Sequence, residues 1–368
     1  MKSLRILGIR GIPAAHGGFE TFVAQLAPYL RDHGWKVSVY CQLDPDEDGA
    51  VPPDFEDDWQ GIHRIHLGVR RGGSVGSMLF DWRCVMHALG RPGLNLVLGY
   101  NTAIFTILLR LRGHKVVMNM DGVEWKRAKW PLPVKAWFYF NEFIGVNSAV
   151  LPIADHPEIA RHLRRHGPRQ AHVIPYGADA VVEAPTADLA PYGLAPRGYY
   201  VSIARIEPEN SILEIVRGFS AAPRTEKLVV LGRLDPANAY HRAVRAAASE
   251  QVRFTGAIYD RPVVDALRFH ALAYVHGHQV GGTNPSLVEA MAAGNAILAH
   301  DNRFNRWVTG ENQHFFACEN SLAALFDAIG EGGIDLDASR EAARARHAAQ
   351  FTTQGVNETY AALLARLL

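Results

Sequence analysis

The sequence predicts an α/β protein made of two Rossmann-like domains facing each other across a cleft. Three observations carry that prediction. Short apolar runs alternate with helix-period segments along the chain, the pattern of parallel sheets covered by helices. The length, 368 residues, exceeds one ordinary domain of about 150 residues. A Gly-, Pro- and Ala-rich stretch without helical period, residues 176–197, separates the alternation into two halves.

The elements follow in order. Residues 5–9 read as a buried strand, and residues 19–33 as a helix with Phe19, Phe22, Val23, Leu26 and Leu30 on one stripe, closed by Gly34. Residues 36–41, 95–99 and 115–119 read as further strands, while the acidic, Pro-containing 44–58 reads as a loop. In the second half, strands are expected at 199–204, 227–231, 252–255, 273–276, 296–299 and 314–317. Helices between them include 211–220, 262–270 and 285–293. The expected domains are 1–178 and 179–350. The tail 351–368, with Tyr360, Leu363, Leu364 and Leu367 on one face, is expected to fold back on the first.

Composition removes several function classes. Hydrophobic residues are 48% and charged residues 20% of the chain, values of an ordinary globular protein. Lys and Arg number 38 against 37 Asp and Glu, so no bulk field recruits nucleic acid. Cys41, Cys84 and Cys318 stand far apart without CxxC spacing, which argues against a disulfide framework and a structural zinc site. The 17 histidines show no metal-like pairing, and residues 161–166 read as a solvated helix face. The N-terminal apolar run is too short for a signal peptide. Residues 96–109, interrupted by Asn101, fall short of the roughly 20 that a spanning helix needs. The expectation is a soluble, cytoplasmic protein, with contact to a membrane surface left open.

Three segments carry chemistry. The first, residues 10–20, leaves a strand and enters a helix, where free amides and the helix dipole favour an anion. Gly17 and Gly18 permit close approach of a ligand, and Arg10 is a nearby cation; a turn with glycines for geometry alone fits equally. The second, residues 281–294, places Asn284 as N-cap and Pro285 at the first helical position, so that Gly281, Gly282 and Thr283 present amides to a ligand above. Glu289 lies a turn further in, where it fits two roles: acceptor for two ribose hydroxyls, or partner of Ser286 in a capping box. The third, residues 119–130, holds Asp121 and Glu124 after a strand, followed by Lys126, Arg127, Lys129 and Trp130; an Asp-Gly turn with Glu124 as a helix-start charge is the alternative reading. Interleaved cations and aromatics suit a membrane surface or an acidic ligand, and helical spacing of Trp137, Phe140 and Ile144 suits a core stripe as well.

The segment PSLVEAMAAG (285–294) resembles the donor-site signature of retaining GT-B glycosyltransferases of family four. Residues 173–179 resemble that family's interdomain segment, and 202–210 its phosphate-binding strand and loop. Two positions depart from the family pattern. Gly281 stands where the first Glu of the E-x7-E pair belongs, and Asn210 where a second cation usually follows Arg205. With the start GIRGIP…GGFET and the segment MDGVEWKRAKW, the chain resembles bacterial rhamnosyltransferase-like proteins of cell-surface polysaccharide assembly.

The resemblance implies a GT-B fold and a retaining transfer of sugar, L-rhamnose from dTDP-rhamnose foremost. The implied acceptor is a saccharide, lipid-linked and reached at the inner membrane. It implies donor contacts from Arg10, Gly17, Gly18, Arg205, Asn210, Gly281, Gly282, Thr283, Asn284 and Glu289. Asp121 or Glu124 handles the acceptor hydroxyl, and Lys126, Arg127, Lys129 and Trp130 lie on the acceptor or membrane side. No cofactor and no metal are expected, since no DxD motif occurs. A hexosyltransferase using a UDP- or GDP-sugar, and a catalytically idle nucleotide-sugar binder, are the alternatives.

Overall fold

A computed structural model of the chain describes every residue except 1, 14–16, 92 and 128. It divides into two compact units, one formed by Met1–Pro175 with Thr353–Leu368 and the other by Tyr176–Thr352. The break expected at 178/179 thus falls just inside the second unit.

In the first unit, strands β1 (Lys2–Leu7), β2 (Trp35–Leu43), β3 (Phe55–Trp59), β4 (Ile62–Gly68), β5 (Leu94–Leu98), β6 (Lys115–Asn119), β7 (Leu151–Ala154) and β8 (His172–Val173) form one sheet. Their order is β3-β4-β2-β1-β5-β6-β7-β8. Its helices are α1 (Gly18–Asp32), α2 (Gly73–Ala88), α3 (Ala103–Leu111), α4 (Leu132–Ser148) and α5 (Pro157–Leu163). The central strands are apolar because helices cover both faces: Leu4, Ile6, Leu96 and Val117 are completely buried. The α1 stripe buries Phe22, Val23, Leu26 and Leu30, and Gly34, at φ +79°, reverses the chain where an L side chain would be strained. The connections from β4 through α2, β5, α3, β6 and α4 to β7 all step in one direction, so α2, α3 and α4 share one face of the sheet.

One expected loop is a strand. Within 44–58, β3 runs antiparallel to β4 at the sheet edge. Its sequence, FEDDW, reads as loop because the charges are balanced only across the pair. Asp57 meets Arg64 at 2.5 Å and His66 at 3.0 Å, and those contacts hold its carboxyl below the usual carboxylate range, Arg64 contributing most.

The second unit holds β9 (Tyr199–Ile203), β10 (Lys227–Leu231), β11 (Val252–Gly256), β12 (Ala273–His276), β13 (Ile297–His300) and β14 (His314–Phe316). They are parallel throughout, in the order β11-β10-β9-β12-β13-β14. Around them lie α6 (Ile212–Ser220), α7 (Ala239–Ala246), α8 (Arg261–Phe269), α9 (Pro285–Ala292), α10 (Arg303–Thr309), α11 (Glu319–Gly330) and α12 (Leu336–Gln350). The last helix, α13 (Thr353–Ala365), belongs to the first unit. Tyr360 packs on Phe22 of α1 with ring centroids 4.8 Å apart, and its hydroxyl accepts from Asn119 Nδ2 at 2.9 Å.

Candidate functional site

In the second unit, two loops at the carboxyl ends of β9 and β12 are stitched together. Asn210 Nδ2 donates to the Arg205 carbonyl at 2.8 Å, and Asn210 Oδ1 lies 2.7 Å from His278 Nδ1. Ser211 donates to the Gly277 carbonyl at 2.7 Å and accepts from Gln279 at 2.7 Å. The amide of Asn210, expected at the donor, is therefore engaged within the loops it shapes. Arg205 differs: its side chain is 61% exposed, with only loose ion pairs to Glu207 at 3.5 Å and Glu209 at 3.9 Å.

Helix α9 begins as its sequence requires. Asn284 caps it by accepting from Ser286 N at 3.0 Å, and Pro285 takes the first helical position. Gly282, at φ +106°, turns the chain into that start. Gly281 admits a side chain only if the Phe304 ring shifts, since a Cβ built there would lie 2.6 Å from that ring. An aromatic ring thus stands beside position 281.

The capping box between Ser286 and Glu289 is not formed. Ser286 Oγ lies 2.7 Å from the Tyr274 hydroxyl and accepts from Arg268 Nη2 at 3.1 Å. The Glu289 carboxylate instead pairs through Oε2 with Arg268, whose side chain is 3% exposed, while Glu289 itself remains 25% exposed. No residue near Glu289 in sequence signals this partner, which comes from α8.

In the first unit, a cavity of about 600 Å³ lies at the carboxyl ends of β1 and β5, walled by α2 and α4. Its lining is mainly apolar, with Phe80, Val134, Trp137 and Phe138, and its polar groups include Arg10, Glu20, Asp81, Thr102 and Glu124. Gly17 is the N-cap residue of α1 and Gly18 its first residue. The helix start expected to receive an anion already faces the buried Glu20 carboxylate, which accepts from Arg10 N at 3.1 Å. Asp81 was absent from the sequence expectations. It accepts from Thr102 Oγ1 at 2.7 Å, and burial pushes its carboxyl up to about 6.

The two acidic candidates after β6 are in different states. Glu124 is occupied, by Arg127 at 2.7 Å and Trp130 Nε1 at 3.2 Å. Arg127 and Trp130, expected on the acceptor or membrane side, belong to this network; Lys126 and Lys129 are exposed beside the Trp125 and Trp130 rings. Asp121 sits at φ +50°, its amide donating to Asn119 Oδ1 at 3.0 Å. Burial, reinforced by the Glu124 charge, pushes the Asp121 carboxyl up to about 6. A carboxyl in that range exchanges protons near neutrality.

A further cluster corrects the reading of 161–166 as a solvated face and of the histidines as unpaired. His162 and His166 are buried, with Nε2 atoms 3.1 Å and 2.7 Å from Glu142 Oε2, which also accepts from Trp125 Nε1 at 2.9 Å. Burial alone would raise Glu142, but the bonds from His162 and Trp125 and the nearby histidines bring it below its ordinary value. The carboxylate is acceptor-only, so both imidazoles donate to it. The three ligand-type atoms lie within 4.8 Å of one another, a grouping able to hold a metal ion. Without one, three N–H donors already satisfy the shared oxygen. The cluster ties the 3₁₀ turn at Glu124–Lys126 to α4 and α5.

Residues 1–179 match a family described as "Domain of unknown function (DUF1972)". No curated protein matches the chain. Among solved structures, it is similar to the sucrose-phosphate synthase from Thermosynechococcus elongatus, at 18% identity and TM-score 0.83, covering 100% of this chain and 99% of that one. HepE from Anabaena, in complex with UDP and glucose, is 17% identical with TM-score 0.76, over 100% of both chains. An α,α-trehalose-phosphate synthase (UDP-forming) from Burkholderia xenovorans, in complex with glucose-6-phosphate, is 12% identical with TM-score 0.74, over 99% of this chain and 100% of that one. At such identities the likeness establishes the fold, which is that of the GT-B glycosyltransferases.

Proposed function

We propose that the chain is a retaining, metal-independent glycosyltransferase whose second unit binds a nucleoside diphosphate sugar and whose first unit binds the acceptor. The observation that carries this reading is the second-unit site: an exposed Arg205 on one loop, a capped helix start at Gly282–Asn284 on another, and Glu289 held by Arg268. Arg205 and the helix start oppose the charge that develops on the leaving diphosphate, and Glu289 receives the ribose hydroxyls. The likeness to HepE, crystallised with UDP-glucose, supports a sugar nucleotide as the ligand class.

The favoured donor is dTDP-L-rhamnose. Gly281 and the Phe304 ring offer an apolar surface where related enzymes present a carboxylate, which suits a deoxyhexose better than a fully hydroxylated hexose. A UDP-hexose is the second reading, favoured by the UDP and glucose bound in HepE. The acceptor binds at the end of the first-unit cavity that Glu124 lines, and Asp121, three residues before Glu124, orients its hydroxyl or takes its proton. With no carboxylate at position 281, substitution on the donor's front face, assisted by the leaving phosphate, accounts for retention.

The test is a thermal-shift panel of nucleoside diphosphate sugars, followed by turnover on the best binder in chelator-treated protein. Stabilisation by a dTDP- or UDP-sugar, with product of unchanged anomeric configuration, supports the reading. Absence of any shift across the panel removes it.

A further inference from the structure

Helices α2, α3 and α4 form one layer on the first sheet, and their outward faces are apolar where a surface helix is ordinarily polar. Among the described residues, fifteen large hydrophobic side chains are exposed, and nine of them lie on these three helices. On α2 they are Val75, Leu79, Trp82 and Met86, spaced as a single stripe. On α4 they are Leu132, Tyr139, Phe140 and Phe143, again one stripe, and Leu111 closes α3 at 77% exposure. The layer is continuous: Trp82 meets Phe105 of α3 edge-on at 5.3 Å, and Asn141 of α4 accepts from Ile104 N at 3.0 Å.

The charge around the layer is one-sided. Residues 70–148 hold eleven Lys and Arg against four Asp and Glu, in a chain whose net charge is +1; two of the cations, Arg83 and Arg91, are paired with Asp54 and Glu56 outside this stretch, which leaves the others in excess. The four acids are withdrawn from the outer face. Asp81 is bonded to Thr102, Glu124 to Arg127, and Glu142 is buried under two histidines. Asp121 is partly buried after β6. Arg70, Arg71, Arg112, Lys126 and Lys129 are exposed.

The geometry points to this layer as a docking face for an anionic lipid bilayer, with the helices lying in the headgroup plane. Apolar and aromatic side chains enter the interface while the surrounding cations meet lipid phosphates. No helix of the described residues is long and apolar enough to cross a membrane, so the contact is peripheral. A patch of this extent on a monomer's surface marks an interaction site. Its positive rim selects an anionic surface. Helices α2 and α4 also wall the first-unit cavity, so docking delivers a lipid-borne acceptor to it. The docking itself rests on the surface alone and stands apart from the transferase reading.

The full chain is sedimented with vesicles of phosphatidylcholine alone and of phosphatidylcholine mixed with phosphatidylglycerol. Binding is expected to the mixed vesicles, weakened by salt and reduced about tenfold or more in Leu79→Ser/Phe140→Ser/Phe143→Ser. Arg70→Glu/Arg71→Glu is expected to reduce it comparably, and it serves if the apolar variant misfolds. Equal partition to both vesicle types overturns the proposal. So does a wild-type chain that ignores vesicles but self-associates through the face, becoming monomeric in the apolar variant.

Discussion

Glu289 is the counterion of Arg268, a guanidinium almost wholly buried beneath α9. The same carboxylate is the proposed ribose contact, so its two roles must be separated by the choice of substitution. Glu289→Ala leaves that buried charge with Asp265 alone, at 3.8 Å, and the protein is expected to lose about 3 kcal/mol of stability. Glu289→Gln keeps an acceptor beside the guanidinium and loses less. In that variant, nucleotide affinity is expected to fall about tenfold. Arg205→Ala, whose side chain is exposed, is expected to weaken nucleotide binding with an unchanged denaturation midpoint. Calorimetric titration beside urea melts distinguishes the cases; full nucleotide affinity in Glu289→Gln reduces Glu289 to the partner of Arg268.

Asp121 is expected to show function and stability pulling in opposite directions. Its folded carboxyl is raised to about 6 from an ordinary 3.8. Folding therefore favours the protonated form: the cost is absent at low pH, grows as pH rises between these values, and is fully present above them. Asp121→Asn is expected to abolish transfer while raising stability at pH 8 by about 1–3 kcal/mol, a gain that vanishes toward pH 4. In the wild type, turnover is expected to decline on the acidic side with an apparent pKa near 6. Melting curves across pH check one half and pH–rate profiles the other. Near wild-type turnover in Asp121→Asn transfers the proton to the leaving phosphate.

Elements whose cause is local were legible in the sequence. The run at β1 reads as a strand because the apolar residues at its end, Leu4, Ile6 and Leu7, are buried, and α9 declares its start through Asn284 and Pro285. What depended on distant partners was not legible. The edge strand β3 needs Arg64 and His66 to neutralise Asp57. A capping box offered a local partner for Glu289, yet the carboxylate pairs with the buried guanidinium of Arg268, 21 residues earlier, which Asp265 reaches only at 3.8 Å. The histidines of 161–166 look solvated until Glu142, 20 and 24 residues before them, is brought beneath. At the candidate site, how the expected residues are engaged was not readable. Nothing in the local sequence marks Asn210 and Arg127 as spent on neighbours, or Asp121 as the raised carboxyl.

The Glu142 cluster makes the next prediction. Removing the charge in Glu142→Gln weakens three N–H bonds to one buried oxygen, and the expected loss of stability is about 2–3 kcal/mol. Because Trp125 is one of the donors, the segment carrying Asp121 and Glu124 loses an anchor. Turnover is expected to fall while nucleotide affinity in the second unit holds. Stability equal to the wild type, measured by urea melts, shows the cluster to be dispensable. Strong stabilisation of the wild type by added zinc, absent in the variant, shows instead that a metal occupies it.

The last prediction concerns the contact of Gly281 with Phe304. A Cβ at position 281 falls 2.6 Å from the ring, closer than real contacts permit, and the ring must yield. Gly281→Ala is expected to cost about 1–2 kcal/mol, and Gly281→Ala/Phe304→Ala to recover the part due to that clash, because the smaller residue vacates the space. If the ring faces the donor sugar, Gly281→Ala weakens binding of the sugar nucleotide but leaves the free nucleoside diphosphate within about twofold. Phe304→Ala alone is expected to narrow the preference between a deoxyhexose and a hexose donor, since the apolar surface that favours the former is gone. Paired titrations with dTDP-rhamnose, a UDP-hexose and the free diphosphates read all of these effects. Parallel losses for sugar nucleotide and free nucleotide indicate a general disturbance of the loop, and the sugar-facing role of Phe304 then falls.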